Sequence, residues 1–366
     1  MTTLDIALVV GTRPEAVKMA PVYWALERCP ELSPVLISTG QHRELLQTAL
    51  DPLELVPKHS LDVMTRNQTT ADVIARVTER LASLLEEIAP AALLTQGDTT
   101  SVLASSMAAY FMEIPVGHVE AGLRTYDHAH PFPEEANRQL VDRISRWCFA
   151  PTRGSCENLR GERIDEDRIF ETGNTAVDAI LRMRERSSYR CPEDTLLLTL
   201  HRRESFGKPL VDILSGVCDF LDATPGARAL WPVHPNPHVL EAIERMDGRM
   251  ERIECVDPMD YLSFSGAIGS CRLILSDSGG VQEEAPSLGK RVLVAREHTE
   301  RPDALESGLN RLVGRTREGV RDALAECWDL PPYEGELPAP NPYGDGRSGE
   351  RIVDILRRDL VADQSN

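Results

Sequence analysis

Short apolar segments alternate with longer amphipathic ones along this chain, and that alternation restricts the fold more than any other feature. The first series of predicted strands and helices reads LDIALVV, PEAVKMAPVYWALE, PVLIST, ADVIARVTERLASLLEEI, AALLTQ, SVLASSMAAYFM and PVGHVE. Helices that connect successive strands favour parallel pairing of those strands, so the series predicts a doubly wound parallel sheet. The predicted fold class is therefore α/β.

A second series of the same kind starts near residue 173. It reads DTLLLTLH, PLVDILSGVCDFLDA, RALWPVH, HVLEAIERM, LILSDS, GVQEEAPSL and RVLVA. A chain of 366 residues exceeds the usual limit of a single hydrophobic core. We therefore predict two Rossmann-like domains with a cleft between them and a boundary near 170–180. A segment rich in Pro and Gly, 331–346, precedes one last predicted helix at 347–360.

Nearly every predicted strand is followed by a polar, charged or glycine-bearing turn. Ligands of open α/β sheets bind beyond the carboxyl ends of the strands, where these turns lie. The turns occupy positions 11–13, 39–42, 96–98, 118–120, 201–204, 234 and 276–280. Their composition predicts that they line a ligand-binding cleft.

The segment LILSDSGGVQEEAPSLGK predicts a strand, a serine–diglycine turn and a helix that ends at Gly289. Backbone N–H groups at a helix start bind phosphate oxygens, which makes Ser278, Gly279 and Gly280 candidates for a phosphate site. A tight capped turn without a ligand is the alternative. The spacing differs from G-x-x-x-x-G-K, so a P-loop ATPase is not expected.

Basic residues follow two of the predicted strands. His201 stands beside the adjacent Arg202 and Arg203, whose charges suit a diphosphate; a solvated basic turn is the alternative. Arg13 and Lys18 flank the start of the first helix and offer further positive charge, although a lysine there is more often a surface residue.

Carboxylates near strand ends or a helix start come from three segments of the first domain. Asp98 follows LLTQG, Glu120 follows PVGHV, and Glu134 and Glu135 lie in PFPEEANRQ. A solvated helix face explains one of the two adjacent glutamates. Asp98 and Glu120 are the stronger candidates for acid–base chemistry.

Two other patterns are set aside. GDGRSG at 344–349 fits G-x-G-x-x-G, but it follows a Pro-rich loop and leaves no room for a βαβ unit, so no nicotinamide cofactor is expected. His128 and His130 have no third partner at metal-binding spacing, so they are interpreted as loop residues.

Composition excludes several classes of partner. The net charge of −18 repels nucleic acid and anionic membrane surfaces, so neither is expected to bind. The eight cysteines are scattered without a C-x-x-C pair, which favours reduced thiols over a zinc site or disulfides. The N-terminal sequence predicts a first strand and not a signal peptide, and no apolar run is long enough to span a membrane. We expect a cytoplasmic protein.

Several motifs occur in order along the chain: GTRPEAVKMAP, TGQHRE, QGDTTSV, HVEAGLRT, PFPEEANR, TGNTAVDA, TLHRRES, SDSGGVQEEAP and ERPDALESG. Together they resemble the non-hydrolysing UDP-N-acetylglucosamine 2-epimerases from about residue 8 to the last helix. The resemblance implies the two-Rossmann-domain (GT-B-type) arrangement with the last helix crossing back. Residues 1–172 plus 352–366 would form the first domain and residues 173–351 the UDP-binding one. It also implies a homodimer.

The reaction implied by the resemblance is the reversible conversion of UDP-N-acetylglucosamine to UDP-N-acetylmannosamine. The C2 proton lies beside no carbonyl group, so the family eliminates UDP to give 2-acetamidoglucal and then adds UDP back. This chemistry needs a stabilised diphosphate leaving group and acid–base groups at C2, and it needs no cofactor and no metal.

Site residues carry over where the motifs match. The resemblance assigns proton handling at C2 to Asp98, Glu120 and Glu134, without a choice of face, and places His201 and Arg13 at the diphosphate. Phe264 would lie against uracil with the Met259 backbone nearby, and Glu284 would hold the ribose hydroxyls. The full expected set of catalytic and substrate-binding residues is Asp98, Glu120, Glu134, His201, Arg13, Lys18, Arg138, Met259, Phe264, Ser278, Gly279, Gly280, Glu284 and Arg301. Arg124 and Asp127 are expected to organise their loop.

Relatives can carry a regulatory UDP-N-acetylglucosamine site, and this chain departs from that pattern. Gln41, His42 and Arg43 match it, but Glu44 replaces a second glutamine and Asn67 precedes the Gln-Thr pair. Four other readings stay open: an epimerase of a UDP-sugar modified at C3 or C6, a glycosyltransferase of the same fold, a hydrolysing epimerase, and a UDP-sugar sensor.

Overall fold

A computed structural model describes residues 3–40, 50–65, 68–299, 308–330 and 341–362, together with Arg301, Asp303 and Leu305. The predicted regulatory residues Gln41, His42 and Arg43 lie outside these ranges. The described chain divides into two compact units: unit 1 comprises Met1–Ala179 and Tyr343–Asn366, and unit 2 comprises Ile180–Pro342.

Unit 1 contains a parallel sheet of seven strands in the order β3-β2-β1-β4-β5-β6-β7. The strands are β1 Leu4–Val10, β2 Leu32–Ser38, β3 His59–Ser60, β4 Ala92–Gln96, β5 Val116–Val119, β6 Trp147–Ala150 and β7 Ile169–Glu171. The helices are α1 Arg13–Glu27, α2 Thr70–Ile88, α3 Thr100–Phe111, α4 Glu134–Ile144, α5 Arg153–Gly161 and α6 Thr175–Arg186, the last of which runs on into unit 2.

Unit 2 repeats this architecture with a parallel sheet of six strands in the order β10-β9-β8-β11-β12-β13. The strands are β8 Thr195–Thr199, β9 Arg228–Pro232, β10 Ile253–Val256, β11 Leu273–Ser276, β12 Val292–Val294 and β13 Asn310–Leu312. The helices are α7 Lys208–Ala223, α8 Pro237–Glu244, α9 Tyr261–Ser270, α10 Gly279–Glu284 and α11 Arg317–Trp328. The predicted α/β class with two Rossmann-like domains is confirmed.

Helix α2 shows how the sequence specifies these elements. Thr69 and Asp72 form a capping box: the Thr69 hydroxyl accepts from the Asp72 N–H at 3.2 Å, and the Asp72 carboxylate accepts from the Thr69 N–H at 2.8 Å. Four apolar residues then recur every fourth position and are buried against the sheet, namely Val73, Val77, Leu81 and Leu85. This stripe fixes the face that the helix presents to the core.

The last helix, α12 Ser348–Ala362, returns to unit 1 as predicted. The Gly349 N–H donates to Asp178 Oδ1 at 2.8 Å, and Trp147 Nε1 donates to Asp359 Oδ2 at 2.8 Å. A Cβ at Gly349 would lie 2.5 Å from the Pro21 carbonyl oxygen, because α12 packs directly on α1 at this point. Packing that close requires glycine.

Details of the predicted elements differ in three places. Unit 1 extends to Ala179 and begins again at Tyr343, whereas boundaries at 172/173 and 351/352 were expected. The predicted helix up to Gly289 is an α-helix only to Glu284 and a 3₁₀ turn over Ala285–Leu288.

Candidate functional site

Each sheet reverses its strand order at one point, and four of the predicted site residues follow the strands on either side of it. In unit 1 the neighbours are β1 and β4, after which come Arg13 and Asp98. In unit 2 they are β8 and β11, after which come His201 and Ser278. This reversal is where doubly wound sheets bind their ligands.

In unit 1, the Lys18 ammonium group is paired with the Glu120 carboxylate. Both side chains are mostly buried, with 12% and 11% of their surfaces exposed. Glu120 directly follows β5 and has φ of +71°, a left-handed conformation that is uncommon for a residue with a side chain. The N–H groups of Glu120 and Ala121 both donate to the Phe149 carbonyl, at 3.0 and 3.1 Å, and hold this turn.

Asp98 is held by helix α4 in two ways. Its carboxylate pairs with the Arg138 guanidinium, and its carbonyl accepts from Asn137 Nδ2 at 2.8 Å. Arg138 also lies 3.6 Å from the Glu135 carboxylate. Burial opposes ionisation of Glu135, but hydrogen bonds from the Thr125 N–H, Gln139 and the Tyr126 N–H outweigh it and lower its pKa.

Glu15, in the first turn of α1, is buried and was not singled out from the sequence. Its Oε2 accepts from the Gly11 N–H at 2.6 Å. Burial raises the pKa of Glu15 to about 6, although hydrogen bonds from Gly11, Thr99 and Thr12 lower it. This carboxyl group therefore lies at the strand-order reversal and contacts both of its loops.

A polar network that is buried except at Glu162, whose side chain is 16% exposed, lies next to the Glu120 turn. His118 Nδ1 is 2.6 Å from Asp142 Oδ1, and Asp142 Oδ2 accepts from Arg124 Nη2 at 2.7 Å. Arg124 Nε donates to Glu162 Oε1 at 2.6 Å. Burial opposes the Asp142 charge, yet His118 and Arg124 lower the pKa of Asp142. The prediction that Arg124 organises its loop agrees with these contacts.

In unit 2, the buried Asp277 fixes the turn after β8. Its carboxylate accepts from the His201 N–H at 3.1 Å and from the Arg202 N–H at 3.0 Å. His201 Nδ1 lies 3.5 Å from Asp277 Oδ1. Partial burial lowers the pKa of His201, while Asp277 opposes this shift and Arg202 adds to it. The His234 ring stacks on His201 with centroids 6.0 Å apart.

The start of α10 carries the predicted phosphate-binding residues. Ser278 is the N-cap, and its N–H donates to Ser276 Oγ at 2.9 Å. The guanidinium of Arg301 lies against Gly279, where a Cβ would be 2.6 Å from Arg301 Cζ. Glu283 orients that guanidinium by accepting from Arg301 Nε at 2.6 Å. A cation therefore lies beside the first turn of this helix.

The residues expected at the nucleoside are near α9 and α10. The Tyr261 hydroxyl donates to Glu284 Oε1 at 3.1 Å, and both side chains are buried. Phe264 lies one turn further along α9 and is half-buried, and Met259 precedes the Asp260 N-cap of that helix.

Two predicted residues lie at the first positions of helices. Arg13 is exposed in the first turn of α1. Glu134 is the first residue of α4, and its side chain has no hydrogen bond or ion pair within the described ranges. The sequence did not single out four buried acids as site residues, namely Glu15, Asp142, Asp277 and Glu283. Local sequence does not distinguish a buried acid from an exposed one, because burial depends on partners that are distant along the chain.

Metal clusters, disulfides and membrane-spanning helices are absent from the described ranges. No cluster of three or more His, Cys, Asp or Glu side chains there has a metal-binding arrangement, and none of the eight cysteines is in a disulfide. Of the helices that the structure describes, none combines the length and the apolar character required to traverse a bilayer.

Comparison with known proteins places this geometry in a family. A family model described as UDP-N-acetylglucosamine 2-epimerase matches residues 24–357. The chain belongs to the UDP-N-acetylglucosamine 2-epimerase family. The 2-epimerase of Salmonella typhimurium strain LT2 is 42% identical over 370 residues, which cover 97% of this chain and 98% of the relative. The 2-epimerase of Escherichia coli K12 is 40% identical over 375 residues, covering 98% and 100%.

Solved epimerase structures agree with the fold. The UDP-GlcNAc 2-epimerase of Neisseria meningitidis, bound to UDP-GlcNAc, superposes with a TM-score of 0.86 at 36% identity, covering 97% of this chain and 100% of that one. The expected family is thus confirmed for this epimerase, and the matched region includes Asp98, Glu120, His201 and Ser278.

Proposed function

We propose that this epimerase interconverts UDP-N-acetylglucosamine and UDP-N-acetylmannosamine by inverting C2. The observation that carries the proposal is the pairing of two carboxylates with two cations in unit 1, Glu120 with Lys18 and Asp98 with Arg138. The named activity of the relatives and the UDP-GlcNAc bound to the Neisseria enzyme support the choice of substrate.

The elimination and re-addition of UDP explain why the proposed site contains both carboxylates and cations. A carboxylate takes the proton from C2, the C–H electron pair forms the C1–C2 double bond, and the C1–O bond breaks with its electrons going to the diphosphate. UDP then adds back to C1 while a proton is delivered to the opposite face of C2. Because two faces are involved, two carboxyl groups are required, and Asp98, Glu120 and Glu134 are the three candidates for these roles.

Unit 2 is the proposed UDP-binding unit. The Ser278 hydroxyl and the N–H groups of Gly279 and Gly280 would donate to the diphosphate, and Arg301 would balance the charge that develops as UDP departs. His201 and Arg13 would also contact the diphosphate. Glu284, held by Tyr261, would accept from the ribose hydroxyls, and Phe264 would lie against uracil with Met259 nearby.

Isotope exchange tests the proposal. The protein is incubated with UDP-N-acetylglucosamine in deuterated water and the C2 position is followed by NMR. Deuterium at C2 of both intact epimers is the expected result. Free N-acetylmannosamine would indicate a hydrolysing enzyme, and turnover without exchange, or no turnover, would overturn the proposal in favour of a transferase or a sensor.

We also propose that the protein is a homodimer located in the cytoplasm. Light scattering tests the oligomeric state, and cell fractionation tests the location.

A further inference from the structure

His118 has both ring nitrogens engaged in the interior of unit 1. The residue lies on β5 and has no exposed surface. Nδ1 is 2.6 Å from the Asp142 carboxylate, and Nε2 is 2.8 Å from the Gly97 carbonyl oxygen. A backbone carbonyl and an ionised carboxylate only accept hydrogen bonds, so in this arrangement both ring nitrogens donate.

The two partners of His118 connect the Asp98 loop to a single helix. Gly97 has φ of +83° and immediately precedes Asp98, so its carbonyl sets the direction in which the chain enters that residue. Asp142 lies one turn after Arg138 on α4, and Arg138 holds the Asp98 carboxylate. His118 therefore links the Gly97 carbonyl to α4, the helix that also holds the Asp98 side chain.

Pairing of opposite charges allows His118 and its charged neighbours to be buried. Asp142 also accepts from the Gly122 N–H at 3.2 Å and from Arg124, which in turn pairs with Glu162. A doubly protonated His118 and Arg124 thus balance Asp142 and Glu162, and buried charges are tolerated when they are paired and hydrogen bonded. With both nitrogens donating, the ring has no lone pair with which to take a proton from a substrate.

We propose that His118 is a positioning residue for the epimerase reaction: its hydrogen bond to the Gly97 carbonyl holds the Asp98 carboxylate in place for proton transfer at C2. The inference rests on the proposed function. Small displacements of a reacting group cost about 10²-fold in rate, so loss of this hydrogen bond affects turnover more than nucleotide binding.

Two isosteric variants separate the two hydrogen bonds. The amide nitrogen of His118→Gln reaches the position of Nε2 and keeps a donor for Gly97, whereas that of His118→Asn reaches the position of Nδ1 and keeps a donor only for Asp142. Both variants lose the ring and its charge. We expect His118→Asn to lower kcat by about 10²-fold and His118→Gln by less than about 10-fold, with KM and UDP affinity within about 3-fold of wild type in both.

Equal losses of kcat in the two variants, or UDP affinity that falls as much as kcat, would show a general structural role and overturn the proposal. If the variants do not fold, ¹⁵N-histidine NMR of the wild-type protein decides: one histidine with two directly observed ring N–H protons is expected, and their absence overturns it. Failure of the proposed function is distinguished because the wild-type protein itself would then show no exchange at C2.

Discussion

At the scale of single residues, the carboxyl group of Glu15 has a cost of burial that its hydrogen bonds do not offset. Its pKa is raised from 4.5 to about 6. The folded state therefore binds a proton more tightly than the unfolded state, and stability is lost as pH rises through this window. Above pH 6, burial of the ionised carboxylate lowers the free energy of unfolding by about 2 kcal/mol, and below pH 4.5 this loss is absent.

Glu15→Gln removes this ionisation and keeps an acceptor for the Gly11 N–H. We expect the variant to be more stable than wild type by about 2 kcal/mol at pH 7.5, with a smaller difference at pH 5.0, in urea denaturation. Glu87→Gln on the exposed face of α2 is the matched control and should show no difference at either pH. An equal effect of Glu15→Gln at the two pH values would contradict the argument.

A substitution of Asp98 is expected to affect catalysis much more than nucleotide binding. Asp98→Asn keeps the shape of the side chain and removes its capacity to act as a base. We expect kcat to fall by about 10²- to 10⁴-fold while UDP affinity, measured by calorimetry, changes little. Asp354→Asn, at an exposed side chain of α12, serves as control. Parallel loss of UDP binding and turnover would assign Asp98 a ligand-holding role instead.

The sequence identified candidate site residues that follow strands, but it did not identify the side chains that contact them. Asp98 and Glu120 could be singled out because position after a strand is a local property. The partner of His118, by contrast, is Asp142, 24 residues later on a helix. Its spacing matches no motif, so only the folded chain reveals it.

At the scale of elements, α2 and several other periodic segments were predicted, whereas the helices α5, α9 and α11 and five of the eight strands of two to four residues were not. α2 was predicted as 71–88 and found at Thr70–Ile88, because capping and a buried stripe act together over 19 residues. The strands β3, β6, β7, β10 and β13 have two to four residues and went unassigned. A strand that short is defined by its neighbours in the sheet and has no period of its own.

The contact between α12 and α1 depends on glycine. Gly349→Ala places a methyl group 2.5 Å from the Pro21 carbonyl oxygen, and this backbone atom cannot move aside as a side chain would. We expect a loss of stability of about 1–3 kcal/mol, seen as a lower Tm and faster proteolysis of α12. Gly161→Ala at the end of α5, where a Cβ meets nothing within 4 Å, should be neutral or slightly stabilising. Equal Tm values for the two variants would contradict close packing at Gly349.

At the scale of the whole molecule, charge opposes the proposed substrate. The protein has a net charge of −18, and a UDP-sugar is itself an anion. Binding must therefore depend on local cations such as Arg301, which lies beside Gly279 at the start of α10. The acidic surface then disfavours other polyanions, while the site accepts a diphosphate.

Hydrogen exchange tells which unit binds the nucleotide. We expect UDP to slow amide exchange most strongly at 278–284, because the N–H groups at the start of α10 would donate to the diphosphate. Uridine, which lacks the diphosphate, should slow exchange around Phe264 on α9 and leave α10 nearly unchanged. If UDP protects unit 1 most strongly, or if uridine and UDP protect α10 equally, the assignment of the diphosphate to Ser278, Gly279 and Gly280 is wrong.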